Sequence, residues 1–354
     1  MQDWTRSRLF GFVDDGMATK SARKPALQFT ALLAALFVLV LLNLTVGSVY
    51  IPLKDVLHPS GAYAEIIYII RLPEAIGAVI AGASLAVAGA IMQAVFRNPL
   101  AEPYVTGTAS GAVLGVLCGF ALGILVHGLF GFALFLEPLF GFAGAMLATF
   151  LVIMIGRRGE WLSLILSGIA ISILFSAMIM ILDSYLLSRT PSSFSILLLL
   201  FGTLANLNST TDALMAVIAV PCILCAFYYA KKLNLIMISD EVAQSSGTNP
   251  GKFRKEMLAL SGVLTAAALS FTGIIGFVGL ITPHIIRLFG RNVDNAYVIP
   301  LAAVLGASVL LLSNAIARIA IPGTTVPITA ITSIIGVPML MYLIRKGDFF
   351  GRSY

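Results

Sequence analysis

The chain has 354 residues, 59% of them hydrophobic and only 11% charged. Soluble domains carry about a quarter charged residues, so this composition excludes a soluble enzyme or regulator and describes a polytopic membrane protein. The formal charge of +6 is then no sign of a nucleic-acid partner; where the basic residues fall along the chain carries the information.

Residues 1–24 hold Arg6, Arg8, Lys20, Arg23 and Lys24 and read as a basic cytoplasmic tail. The apolar run Leu27 to Val46 is too long for a signal-peptide core and lacks a small-residue cleavage site. It reads as an uncleaved first helix, opening a single membrane domain over residues 25–354. A spanning helix needs about 20 mostly apolar residues. The second is the charge-free run 75–96, set between Glu74 and Arg97. Its small residues, Gly82, Ala83, Ser84, Ala86, Ala88, Gly89 and Ala90, let helix backbones approach closely. A polar turn from Asn98 to Pro103 leads into helix 3 at 104–126, followed by helix 4 at 138–156 and helix 5 at 161–182. Between Thr190 and Thr211 only Phe194 to Ala205 is apolar. That is too short to cross, so a half-helix returning to the same side is expected. Helix 6 lies at 212–230.

The segment 231–256 is the longest internal polar stretch. Ser239 suits an N-cap, Asp240 and Glu241 suit the positive end of a first turn, and Gly247 suits a stop. Asn249 and Pro250 restart a helix as N-cap and first residue. Helices this short are marginal alone, so the pair requires a surface to dock on. The run Met257 to Ile286 is long for one crossing and short for two, and Gly273, Gly276, Gly279 and Pro283 break it. Helices 9 and 10 follow at 297–317 and 325–344. If the broken run is a hairpin, the chain crosses ten times with both termini cytoplasmic, and only Lys54, Arg71, Arg189 and Arg318 among the basic residues face outward. The positive-inside rule selects that all-α arrangement.

No apolar span carries a carboxylate or lysine at its centre; Glu137, Asp183 and Asp212 sit at predicted ends. Ion-coupled transporters bury ionisable groups where the coupling ion binds, which speaks against that class, the runner-up reading. No H-E-x-x-H, paired aspartate or G-x-S-x-G elbow suggests an enzyme. Cys222 and Cys225 match C-x-x-C but lie with no strand nearby, and Cys118 lies in another apolar run, so all three read as packing residues. His58, His127 and His284 form no metal-ligand cluster. The nearest approach to a P-loop, Gly247 to Phe253, has the wrong spacing and lacks the closing Ser/Thr. Energy must come from a partner.

Several separated motifs carry a resemblance. They are Arg71-Leu72-Pro73, Gln93, Asn98-Pro99-Leu100-Ala101 with Pro103, and Gly107 with Gly111-Ala112. Asp240-Glu241-Val242-Ala243 with Gly247 adds to them, as does Gly276-Phe277-Val278-Gly279-Leu280 with Pro283, His284, Arg287 and Gly290. A looser match runs from Thr325 to Pro338, where Thr325 and Thr329 replace a glutamate and a glycine. Together they resemble the permease subunits of type II ABC importers, the iron-siderophore, haem and cobalamin group. Glu74 stands where that family usually has an arginine.

The resemblance implies ten helices, a homodimer with a central path, and a prokaryotic inner-membrane location. It further implies two ATPase subunits that bind ATP and Mg on the cytoplasmic face, an external binding protein, and no cofactor held by this chain. It assigns ATPase coupling to Asp240, Glu241, Ala243 and Gly247, and cytoplasmic gates to Asn98, Pro99 and Leu100 and to Glu160, Trp161 and Leu162. Trp161 reads equally well as a headgroup anchor. Ser163, Ser167, Ser172 and Thr332 are expected along the path, and Arg71, Glu74 and Arg318 at the docking rim for the binding protein. A metal chelate is the implied cargo, with a small oxyanion such as molybdate as the alternative.

Overall fold

The computed structural model describes residues 15–125, 130–156, 160–189, 201–290, 294–321 and 326–346. These are helical with no strand among the described residues. In order they form α1 (Asp15–Thr45), α2 (Leu53–Leu57), α3 (Gly61–Glu65), α4 (Leu72–Val95), α5 (Thr108–Leu125), α6 (Phe130–Ile155), α7 (Trp161–Arg189) and α8 (Ser209–Tyr228). The polar segment contributes α9 (Ala230–Ile238) and α10 (Asp240–Ser245). After it come α11 (Pro250–Thr272), α12 (Val278–Gly290), α13 (Asn295–Ile319) and α14 (Ile328–Lys346). Among the described residues six helical stretches are long and apolar enough to cross a membrane, with three shorter apolar helices beside them.

Everything is arranged about α4. Its side chains are nearly all buried, and α13, α11, α12 and α8 pack around it. The small residues make this possible, because the backbones themselves touch. A Cβ on Gly82 would stand 2.4 Å from the Gly306 carbonyl oxygen of α13, and one on Gly89 only 1.8 Å from that of Gly279 in α12. The α5–α6 hairpin repeats the device, with Gly111 against Gly144 and Gly115 against Phe140. It joins α4 indirectly, through α11.

Several boundaries differ from the expected ones. Helix 2 does not begin at residue 75; α3 runs through a π-helical turn, Ile66–Arg71, straight into α4. Arg71 does not stop it because its guanidinium donates to backbone carbonyls, and Pro73 follows directly on the π-helical turn, where the regular α-helical hydrogen-bond ladder is already interrupted. Helix 3 starts later than expected: Pro103–Thr106 is a 3-10 turn and Gly107 adopts φ 73° before α5 begins. The tail is not wholly separate, since α1 already begins at Asp15. Of the expected half-helix, residues 194–200 lie outside the described residues, and Phe201–Ala205 is not helical. There the Thr203 N–H donates to the Thr272 carbonyl at 2.7 Å. The break in the long apolar run falls between Thr272 and Val278, with Gly273 at φ 71°. Gly279 and Pro283, also expected in the break, lie inside α12.

The turn after α4 climbs back to meet that break. The Phe277 N–H, in a backbone at φ 69°, donates to the Glu102 carboxylate at 2.9 Å, and the Ile275 N–H donates to the Tyr104 hydroxyl at 3.2 Å. Side chains of one interruption thus satisfy backbone groups of the other inside the protein, which is the condition for irregular chain at membrane depth.

Close backbone packing gives a direct test. Gly89→Ala is expected to destabilise the detergent-solubilised protein by about 1–3 kcal/mol through overpacking. Gly123→Ala, with nothing within 4 Å of the new methyl, is expected to be neutral or mildly stabilising. Thermal unfolding midpoints measure both, and equal midpoints would refute the packing argument.

Candidate functional site

The polar segment folds as its caps dictate. The Ser239 hydroxyl accepts the Val242 N–H at 3.1 Å, so α10 starts at Asp240. At its end Gly247, at φ 78°, donates to the Gln244 carbonyl, and Thr248 donates to that of Ala243 at 2.9 Å. Those two bonds are the Schellman pair that closes a helix through a left-handed residue. Asn249 then accepts the Lys252 N–H at 3.0 Å, with Pro250 opening α11. Ala243 is fully buried, while Glu241 and Gly247 are exposed. The short helix is therefore anchored by its alanine and presents its first turn and its stop outward.

What holds α10 in place is Asp240. Both its oxygens accept from Arg254 of α11, at 3.0 and 2.5 Å, and Arg97, just past α4, pairs with one of them. Arg254 is 2% exposed. These bonds, the Arg254 pair foremost, hold the Asp240 carboxyl below the ordinary carboxylate range. Arg97 reaches further, its Nε donating to the Ile236 carbonyl of α9 at 2.5 Å. Beside it, the Gln93 side chain donates to the Leu280 carbonyl at 2.9 Å and accepts from Arg287, which also reaches Asn295. Asn295 in turn bonds Asn234 of α9 at 2.8 Å. The sequence reading missed Arg97, Arg254, Asn234 and Asn295 as a group. Arg97 was visible only as the residue ending an apolar run, and its partners lie far along the chain.

The expected gate residues sit next to this network. Asn98 caps its own turn, its side-chain oxygen accepting the Leu100 N–H at 2.9 Å, and an open cleft lined by Gln93, Arg97, Asn98, Pro99, Met237 and Arg287 lies behind it. Glu160, Trp161 and Leu162 are all exposed at the start of α7, Trp161 by 45%. Both readings of Trp161 require exposure.

Two groups of expected site residues are placed differently. Ser167 and Thr332 do not line an open surface of the chain. Both are buried and bond their own helix, Ser167 to the Ser163 carbonyl at 2.7 Å and Thr332 to that of Thr329 at 3.2 Å. Hydroxyls in helices commonly fold back in this way. Ser163 and Ser172 are half-buried, with the Ser172 hydroxyl packed over Gly107.

The residues expected at the outer docking rim are likewise internal. Arg71 is 4% exposed, and its guanidinium donates to the Leu44 and Val49 carbonyls. Glu74, also buried, pairs with Arg318 of α13, whose other branch donates to the Asn43 carbonyl at 3.0 Å. Asn43 and Asn314, bonded to each other at 3.1 Å, complete the cluster. Charges this deep cannot stay unpaired, so the side chains turned inward to bind α1, α4 and α13 together. The glutamate at position 74 finds its cation on α13, not one turn back at Arg71.

Residues 35–346 match the FecCD transport family. The chain is 32% identical to the hemin transport system permease of Yersinia pestis over 91% of its own length and 96% of that protein. It is 34% identical to the vitamin B12 import system permease of Klebsiella pneumoniae, covering 88% of this chain and 91% of the other. Among solved structures, a metal-chelate type ABC transporter in an inward-facing conformation superposes with TM-score 0.77 at 28% identity, over 90% of this chain and 98% of that one.

Two outcomes follow from the two charge clusters. Glu74→Ala leaves the Arg318 guanidinium buried and unpaired and is expected to cost about 3–5 kcal/mol in thermal unfolding, most of it recovered by Glu74→Met with Arg318→Met. A single substitution as stable as the wild type would contradict the pairing. Because Asp240 has a depressed pKa, its contribution is fully present above the ordinary carboxylate value of about 3.9 and is lost only as pH falls below it. The hydrogen-exchange protection of α10, relative to the intrinsic rate at each pH, should stay level from neutral to mildly acidic pH, then fall, and Asp240→Asn should remove that acid dependence.

Proposed function

The chain belongs to the FecCD transport family, and we propose that it forms, as a homodimer, the membrane path of an ATP-driven importer for a metal chelate such as haem, a corrinoid or a ferric siderophore. Family membership makes it a multi-pass permease of an ABC importer, with ATP hydrolysis on a separate subunit. The chelate class is supported by the haem and vitamin B12 permeases that it resembles over 91% and 88% of its length. In this reading the chain crosses ten times with both termini cytoplasmic, and two copies enclose the path. An external binding protein delivers the cargo, and two ATPases drive alternating access.

The observation that carries the proposal is α10. A six-residue helix has no stability of its own, yet this one is capped at both ends, pinned through Asp240 and Ala243, and leaves Glu241 and Gly247 exposed. Such a helix is a rigid protrusion built for a partner's cleft. The permease performs no covalent chemistry. It converts displacement of α10 by the ATPase into movement of the turns at Asn98–Leu100 and Glu160–Leu162, which close the path on the cytoplasmic side. Trp161, already exposed on the single chain, is large enough to meet its twin across the two-fold axis.

Gly247 offers a clean test because nothing lies within 4 Å of an added Cβ. Gly247→Val adds no clash; it only penalises the left-handed backbone, by about 1–2 kcal/mol. The competent cap should be populated about 5- to 30-fold less, and transport-linked ATP hydrolysis in the assembled complex should fall accordingly while the permease still melts as the wild type. Undiminished hydrolysis would remove α10 from the coupling role. Trp161→Cys should cross-link between copies in a nucleotide-dependent way, whereas nucleotide-independent labelling would make it a headgroup anchor.

A further inference from the structure

The end of α4 contains a residue that does not suit its backbone. The helix closes with the same pair of bonds as α10: the Arg97 N–H donates to the Ala94 carbonyl at 3.4 Å and the Asn98 N–H to that of Gln93 at 3.2 Å. The left-handed position of that motif is glycine at α10, but at α4 it is Arg97, at φ 49°. A side chain there is strained, and in a chain with 32 glycines an arginine at this position calls for a reason beyond turning a corner. Its side chain supplies one. From the first residue after the helix cap, Arg97 reaches the Ile236 carbonyl of α9 and the Asp240 carboxylate of α10.

The neighbouring contacts set the direction in which force travels. Asp240 is held on both oxygens by Arg254, which is almost fully buried in α11, so α10 and α11 move as one body. The Arg97 side chain is 31% exposed, making its ion pair the looser of the two. The residue immediately after Arg97 begins the Asn98–Leu100 turn.

We propose that Arg97 is a positioning residue that delivers displacement of α10 to the Asn98–Leu100 turn, through its ion pair with Asp240 and the strained left-handed backbone that the pair holds. This rests on the reading of α10 as the ATPase-facing helix. When α10 shifts, the Arg97 pair lengthens or breaks, the backbone at Arg97 relaxes, and the turn swings. Arg254 stays bound throughout, so α10 shifts together with the start of α11 and away from Arg97.

The discriminating variant is Arg97→Gly, which removes the side chain and relieves the backbone together. A mere brace would lose stability; a lever would lose transmission and keep stability. The full chain, with Cys118, Cys222 and Cys225 replaced by alanine and Leu100→Cys as reporter, is reconstituted with its ATPase in proteoliposomes. The labelling rate by a charged maleimide is then read without nucleotide and after trapping with ATP, Mg and vanadate. With Arg97 present, nucleotide is expected to change the labelling rate by about fivefold or more, as a shift between two turn populations. In Arg97→Gly the change should fall below about twofold, while the ATPase remains bound and active and the melting midpoint is kept or raised. Arg97→Lys, which retains the charge, should keep part of the response. An unaltered nucleotide response in Arg97→Gly overturns the proposal, and so does a marked drop in melting midpoint, which would make Arg97 a brace. If the chain with Arg97 intact recruits no ATPase, the underlying reading falls and the lever with it, a result seen before Arg97 is changed.

Discussion

The close approach of α4 to its neighbours is the constraint on which the rest depends. In a membrane, apolar side chains gain little by meeting each other rather than lipid, so association rests on packing and on bonds between backbones held near one another. With Gly82 against Gly306 and Gly89 against Gly279, α4 has no room to shift along α13 or α12 without collision. A helix so enclosed is a rigid post. Movement in this protein has to occur at its ends, or in the elements farther out.

The two ends are finished with charge, and the clusters differ in kind. At the first turn of α4 Glu74 and Arg318 are both about nine-tenths buried, with Asn314 donating to Glu74 and the Asn43 carbonyl of α1 accepting from Arg318. Removing either partner would strand a charge in a dry site, so the cluster welds three helices together. Just past the other end of α4 Arg97 and Asp240 are each about a third or more exposed. Pairs of that kind contribute about 0–1 kcal/mol.

Much of this was legible in the sequence, and what was legible was local. The caps at Ser239, Gly247 and Asn249 are set by one residue and its next few neighbours, so their chemistry could be read directly. The break near Gly273 was likewise visible from glycine content, although Pro283 misled because it lies inside α12 and does not mark an end of the break. The outer arginines were misplaced for a different reason. An arginine at the end of an apolar run normally reaches for headgroups or partners, and nothing within one turn of Arg318 reveals a glutamate waiting on α4. The partners are separated by more than two hundred residues of chain. For the same reason the Arg97–Asp240 pair was hidden: the sequence marks Asp240 as a first-turn residue of a short helix and Arg97 only as the end of an apolar run. Ser167 and Thr332 failed on facing: helices 5 and 10 are apolar all round, so periodicity could not say which side meets protein.

The inequality between the two ends of α4 bears on how such a permease can move. A post fixed rigidly at both ends would transmit nothing, and one fixed at neither would not stay in register with its neighbours. Here the desolvated Glu74–Arg318 cluster resists opening by several kcal/mol, while the more exposed Arg97–Asp240 pair can be broken for about 1 kcal/mol or less. Under the proposed coupling role of α10, a load applied there would be absorbed where the chain leaves α4, at Arg97 and the turn after it, with the Glu74–Arg318 end as the fulcrum. The residue at that point carries a left-handed, strained backbone, so in the proposed lever part of the cost of moving is already present before the turn swings.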